Sequence, residues 1–268
     1  MKQSLSKITS NLELMPGIHL MWVESPEMAH SVQPGQFVTV RCGDFTLRRP
    51  FSVHQVSSRE VALLFKVTGK GSLWLSQRQK GEKIDILGPL GRGLTLGPKS
   101  KKLLLVAGGI GIAPLVFLMQ QASSQCQITL LHGTSTAAQL YPFSPVGKKR
   151  TKLPPLAEGV QFIPITEDGS MGRKGMATDI LPDFLDWADQ VYACGPADMY
   201  KAMEEMSLPA KQSNLKLKEC QVSLEVRMGC GFGACHGCTI DTKKGLKQVC
   251  RDGPVFELGD IIWKELRI

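Results

Sequence analysis

Four cysteines near the C-terminus, Cys230, Cys235, Cys238 and Cys250, stand at the spacing C-x4-C-x2-C-x11-C. Three of them share one loop, Cys230-Gly231-Phe232-Gly233-Ala234-Cys235-His236-Gly237-Cys238, and the fourth stands alone further along. This is the ligand spacing of a plant-type [2Fe–2S] cluster, in which four thiolates hold two irons. The small residues suit it, because the backbone must wrap closely around inorganic sulfur and aim N–H groups at it. Structural zinc is the other reading of four cysteines, but such sites usually present two C-x2-C-type arms. A Rieske centre would need two histidines in place of two cysteines, so His236 is expected to face solvent or to hydrogen-bond.

At 268 residues and 43% hydrophobic composition the chain can bury more than one core, so two or three domains are expected. No apolar run has the length of a membrane span. Asn11, Glu13 and Pro16 interrupt any apolar signal core at the N-terminus. A cytoplasmic, reducing setting is therefore expected, where the eight cysteines favour metal ligation over disulfides. The net charge of +8 invites a nucleic-acid reading. No matching module accompanies it, and the cations are better assigned to cofactor phosphates, an acidic partner or a solvated face.

Between Leu12 and Leu96, short alternating runs are punctuated by glycine and proline. Phe37 to Arg41, Phe51 to His54 and Val61 to Val67 read as strands, and Pro34-Gly35, Gly43-Asp44 and Gly69-Lys70-Gly71 as turns. Such a pattern without a long amphipathic helix predicts a small antiparallel barrel. Within it, Arg49-Pro50-Phe51-Ser52 opens a strand. The arginine can grip a diphosphate, and the serine can hydrogen-bond a flavin ring or ribityl chain. Gly71-Ser72 offers further phosphate donors. Alone, either tetrapeptide-scale signal is weak.

Lys102 to Ala107 is a continuous apolar run, as expected of a strand buried on both faces of a parallel sheet. It feeds into Gly108-Gly109-Ile110-Gly111-Ile112-Ala113-Pro114, a glycine-rich strand-to-helix turn suited to a pyrophosphate, with Pro114 in the first helical turn. G-x-G-x-x-G itself is absent, so a merely tight turn stays open. Ile128 to His132, Val160 to Ile165 and Gln190 to Ala193 read as further strands, and Asp198 to Met206 as a helix. A ligand beyond the carboxyl ends of these strands would meet Gly108, Gly109 and Gly111 together with Cys194, Gly195 and Pro196. Cys194 reads equally as a buried, inert thiol.

Taken in order, these blocks resemble the ferredoxin–NADP reductase superfamily, and more closely the electron-transfer subunits of NAD-dependent dihydroorotate dehydrogenases. The likeness runs through Arg48 to Ser52, Leu64 to Lys66, Gly69 to Ser72, Gly88 to Gly91, Gly108 to Pro114, Asp168 to Ser170 and Cys194 to Pro196. It is most specific in Cys220 to Glu225, the cysteine loop, and Val249 to Phe256. The resemblance implies an α+β multidomain chain: an antiparallel flavin-binding β-barrel over 1–98, an α/β parallel-sheet nucleotide-binding domain over 99–210, and a small C-terminal [2Fe–2S] domain over 211–268. It further implies that Arg49, Pro50, Phe51, Ser52, Leu64, Phe65, Lys66, Gly71 and Ser72 contact FAD. Gly108, Gly109, Gly111, Pro114, Cys194, Gly195 and Pro196 would form the NAD site, and Cys230, Cys235, Cys238 and Cys250 would bind the cluster. The implied partner is an FMN-containing catalytic subunit that oxidises dihydroorotate, two copies of each subunit assembling, in pyrimidine biosynthesis.

Nicotinamide carries two electrons as hydride and a [2Fe–2S] cluster carries one, so a flavin must stand between them. The expected order is partner FMN, cluster, FAD, NAD. The alternative on the same scaffold is an NAD(P)H-linked subunit of a hydrogenase or a ferredoxin:NADP transhydrogenase. Two positions depart from the common pattern: His236 replaces a tyrosine and Phe65-Lys66 a Tyr-Arg. Between Tyr141 and Leu156, Pro142, Pro145, Pro154 and Pro155 exclude a continuous helix, and a loop is expected.

Overall fold

The structure, a computed structural model, describes residues 1–144, 153–207, 219–264 and 266. The chain forms two compact units. One comprises 1–94, 223–256 and 260–268, the other 95–222 with 257–259.

The first unit holds a closed antiparallel barrel of order β1-β2-β5-β4-β3-β6. Its strands are β1 (Lys2–Met15), β2 (Ile18–Glu24), β3 (Phe37–Arg41), β4 (Arg49–Val56), β5 (Glu60–Lys66) and β6 (Lys83–Leu90). Closure removes the exposed edges a six-stranded sheet would otherwise present. Ile8, Met21, Val23, Val38, Val40, Val53 and Ile86 are fully buried and form much of the core. Between Arg48 and Asp85 a 2.7 Å ion pair, with Gln3 on the same carboxylate, ties β1 and β6 to the chain entering β4. No long amphipathic helix interrupts the strands, as expected, but two short ones do: α1 (Pro26–Ser31) and α2 (Lys70–Ser76). Gly69-Lys70-Gly71 reads as a turn in sequence but opens α2, because the Ser72 hydroxyl accepts from the Thr68 and Gly69 amides and caps the helix start.

In the second unit a parallel sheet runs β10-β9-β8-β7-β11-β12. It comprises β7 (Lys102–Gly108), β8 (Gln127–Thr134), β9 (Val160–Thr166), β10 (Arg173–Lys174), β11 (Gln190–Cys194) and β12 (Cys220–Ser223). Leu103 to Ala107 are fully buried, as a strand covered on both faces requires. Helix α3 (Ile112–Ala122) packs on β7 and β11; α4 (Ala177–Ile180), α5 (Pro182–Leu185) and α6 (Ala197–Ser207) complete the helices described there. Of the proline-rich stretch, 145–152 lie outside the described residues. Its flanks are not helical and meet where the Ser144 amide donates to the Pro154 carbonyl.

The remainder of the first unit is the cysteine module, with the hairpin β13 (Thr239–Thr242) and β14 (Gly245–Gln248) followed by α7 (Val249–Asp252). Among the described residues no helix is long and apolar enough to cross a membrane.

Candidate functional site

The candidate residues gather in three groups. In the barrel, antiparallel β4 and β5 pair Val53 with Leu63, so Arg49 to Ser52 and Leu64 to Lys66 come to the same end. Helix α2 follows β5 and reaches that end too. A Cβ on Gly71 would stand 2.9 Å from Arg49 Nε, so the bare glycine backbone lets the arginine chain lie against the helix start. Arg49 donates to the Leu47 carbonyl at 2.7 Å, and its guanidinium lies 5.8 Å from the Phe45 ring centre. Pro50, Phe51 and Ser52 are half-buried, Leu64 and Phe65 are buried, and Lys66 is exposed. Phe65 packs against Phe51 at 5.4 Å and stacks on His19 at 5.6 Å. The Ser72 hydroxyl is engaged in its cap and also donates to the Gly69 carbonyl, so its part at this end is to shape the turn.

In the second unit, register pairing of Cys194 with Ala107 sets the two glycine-bearing turns side by side. A Cβ on Gly111 would lie 1.9 Å from the Cys194 carbonyl oxygen, and one on Gly108 would lie 2.7 Å from Pro196 Cδ. The sequence-predicted groups Gly108 to Gly111 and Cys194 to Pro196 thus form one surface beyond the strand ends, with Gly109 open to solvent and Pro114 buried in the first turn of α3. Cys194 is half-buried. Two supporting residues escape motif reading. His132, buried at the end of β8, bonds the Gly109 carbonyl through Nε2 at 3.0 Å, while Nδ1 accepts from the Tyr141 amide at 3.5 Å. The imidazole is therefore neutral with its proton on Nε2; burial, only partly offset by that hydrogen bond, pushes its pKa down to about 4. Tyr200, equally buried, accepts from the Gly195 amide through its hydroxyl at 2.8 Å. The one available signal was a polar ring closing an apolar parallel strand beside the glycine turn.

In the cysteine module, Gly231 (φ 82°), Gly233 (φ 91°) and His236 (φ 59°) take left-handed backbone and curl the loop. Amides point at sulfur: Ala234 donates to Cys230 Sγ at 3.2 Å, Cys235 to the same atom at 3.4 Å, and Cys250 to Cys238 Sγ at 3.4 Å. Burial raises the Cys230 pKa, but donation from the Phe232, Cys235 and Ala234 groups outweighs it and brings the thiol down to about 6. Cys250 is pushed up to about 12, by burial first and then by Cys238 beside it. A thiolate there needs a cation to neutralise it, which bound iron would supply. Two buried polar atoms without a protein partner, Thr39 Oγ1 and Gln248 Oε1, belong to side chains that flank the loop, Thr39 through its methyl at Gly231 and Gln248 at Gly233. Donors on sulfur, a pinched glycine cradle and orphaned polar groups around it all fit an iron–sulfur group. His236 is exposed, as expected, and its carbonyl accepts from the Thr239 hydroxyl at 2.7 Å.

The module is seated on the barrel. A Cβ on Gly231 would stand 2.7 Å from Thr39 Cγ2 of β3, and the Arg92 amide donates to the Gly253 carbonyl at 2.6 Å.

Residues 225–262 match the family described as the iron–sulfur cluster binding domain of dihydroorotate dehydrogenase B, and residues 105–205 match the oxidoreductase NAD-binding domain. The solved structure of an NADH-dependent reduced ferredoxin–NADP oxidoreductase, a study of flavin-based electron bifurcation, has a TM-score of 0.82 at 27% identity, covering 98% of this chain and 91% of that one. A ferredoxin NADP+ reductase from Neisseria gonorrhoeae with bound FAD and NADP has a TM-score of 0.64 at 17% identity, covering 84% and 100%, and shares the fold. Barrel, parallel sheet and cysteine module define an oxidoreductase chain of the ferredoxin–NADP reductase fold with an iron–sulfur cluster binding domain. The dihydroorotate dehydrogenase B (NAD(+)) electron transfer subunit of Desulforamulus reducens is 38% identical over 97% of this chain and 98% of its own length. That of Clostridium acetobutylicum is 33% identical over the same shares. The chain belongs to this family of electron transfer subunits of dihydroorotate dehydrogenase B.

Proposed function

We propose that this chain takes electrons released when dihydroorotate is oxidised on a separate FMN-containing catalytic subunit and delivers them to NAD+, in an assembly with two copies of each subunit, in the cytoplasm. It is an oxidoreductase component working with FAD, a [2Fe–2S] cluster and NAD, and its place is in pyrimidine biosynthesis. The observation that carries the reading is the seating of the cysteine module on the barrel, Gly231 against Thr39, because this loop then lies on β3, whose Thr39 pairs with Pro50 of the flavin strand β4. Bound FAD supplies the junction between hydride chemistry and single-electron chemistry. In this reading Arg49 binds the FAD diphosphate, Phe51, Ser52 and the Leu64 to Lys66 strand end position the rest of the flavin, and Gly71-Ser72 hold the turn against Arg49. The Gly108 to Gly111 turn, braced by His132 and faced by Cys194 to Pro196, receives the NAD pyrophosphate. Cys230, Cys235, Cys238 and Cys250 hold the cluster. The domain reading is a flavin barrel over 1–98, a nucleotide domain over 99–210 and a cluster domain over 211–268.

Co-expression with the catalytic subunit tests it: the complex should reduce NAD+ with dihydroorotate. A second reading, a transhydrogenase-type subunit, is favoured by the 0.82 TM-score to the ferredoxin–NADP oxidoreductase, whose 27% identity is below the 38% of the dehydrogenase subunit. Comparable kcat/KM for NADH and NADPH, with no dihydroorotate-linked turnover in the complex, would favour that second reading.

A further inference from the structure

Thr39 lies mid-strand in β3, paired with Pro50 of β4 on one side and Leu87 of β6 on the other. Its side chain is buried and its hydroxyl oxygen has no hydrogen-bond partner in the protein. Its methyl carbon is the atom nearest to where a Cβ of Gly231 would stand, at 2.7 Å, and Gly231 directly follows Cys230. A buried hydroxyl left unpaired is destabilising, and valine has the same shape without that cost. A threonine in this position therefore answers to an acceptor the polypeptide does not supply. Cluster sulfurs are negatively charged acceptors, and loop amides already point at cysteine sulfur, those of Ala234 and Cys235 at Cys230 Sγ and that of Cys230 at Cys235 Sγ. We propose that Thr39 is a positioning residue of the iron–sulfur centre, donating its hydroxyl hydrogen to a sulfur of the cluster and thereby raising the cluster's reduction potential. The proposal rests on the reading of the four cysteines as cluster ligands. Reduction adds negative charge to the sulfurs, so a donor there stabilises the reduced form more than the oxidised form.

The test is a redox titration of the anaerobically purified full chain, with the cluster followed by electron paramagnetic resonance and FAD by absorbance. Thr39→Val should move the cluster midpoint to a more negative potential and perturb its spectrum while leaving the FAD potential unchanged. Thr39→Ser should restore the wild-type value; Thr39→Ala is titrated in the same way if the valine variant does not retain the cluster. An unshifted potential in T39V, a shift on FAD alone, or no rescue by T39S overturns the proposal. No [2Fe–2S] signal in the wild-type protein overturns the ligand reading itself, an outcome separate from those three.

Discussion

Arg49 gains its role from what it lies against. The Gly71 backbone leaves room for its aliphatic stem, and the guanidinium is held by the Leu47 carbonyl and the Phe45 face, so little side-chain entropy remains to be lost when a diphosphate binds. Arg49→Ala should weaken FAD binding about ten- to hundredfold, the equivalent of about 1.5–3 kcal/mol for a charge-assisted contact. Flavin retention through dialysis measures it, and wild-type retention would remove Arg49 from the diphosphate. His132 works differently, since its neutral ring supports the Gly109 carbonyl from below. Its native pKa of about 4 lies under the ordinary 6.5, so the unfolded chain binds the proton more readily. Stability from this residue is full above pH 6.5 and is lost as pH falls toward 4, by up to about 3 kcal/mol. Urea unfolding at pH 7 and pH 4.5 should show that loss in the wild type. His132→Gln, which keeps a donor but does not titrate, should show a shallower decline; an equal decline would place the acid sensitivity elsewhere.

At the level of elements, the cysteine loop and the flavin strands are separate segments that meet only through packing. Gly231 rests on β3, while Arg49 to Ser52 lie on β4. Cys235→Ala should therefore abolish the cluster's visible absorbance and labile sulfide while FAD stays bound, as spectra and iron assay will show. Zinc in place of iron, without labile sulfide, would sink the cluster assignment. The same separation governs what the sequence could reveal. The cysteine spacing, the β3 run Phe37 to Arg41 and the apolar β7 run were legible because local pattern alone determines them. Helix α2 was not, since its start depends on Ser72 turning back onto the amides of Thr68 and Gly69, which reads locally as a glycine turn. His132, Tyr200 and Thr39 were equally hidden. His132 and Thr39 act through partners distant in the chain, Gly109 and Gly231, while Tyr200 folds back onto Gly195 across the start of α6, and no single-sequence periodicity encodes such pairings.

For the whole molecule, the division of labour follows from the family of electron transfer subunits to which the chain belongs. Barrel, parallel sheet and cysteine module take up the described residues, and none of them is a (β/α)8 barrel with an FMN site. Dihydroorotate should not be oxidised by this chain alone, whereas NADH should reduce its FAD and drive an artificial acceptor. Phe232, 46% exposed in the loop between Cys230 and Cys235, offers an apolar anchor for a partner that would deliver electrons to a cluster held there. Phe232→Glu should slow dihydroorotate-to-NAD+ turnover of the assembled complex, because a charge at a desolvated contact weakens docking. It should leave the diaphorase activity of the free chain intact, since that path runs from the nucleotide to FAD without using the loop. Steady-state assays of both reactions on one preparation decide the matter: equal loss of the two activities would mean that the loop supports the fold and that the partner docks elsewhere.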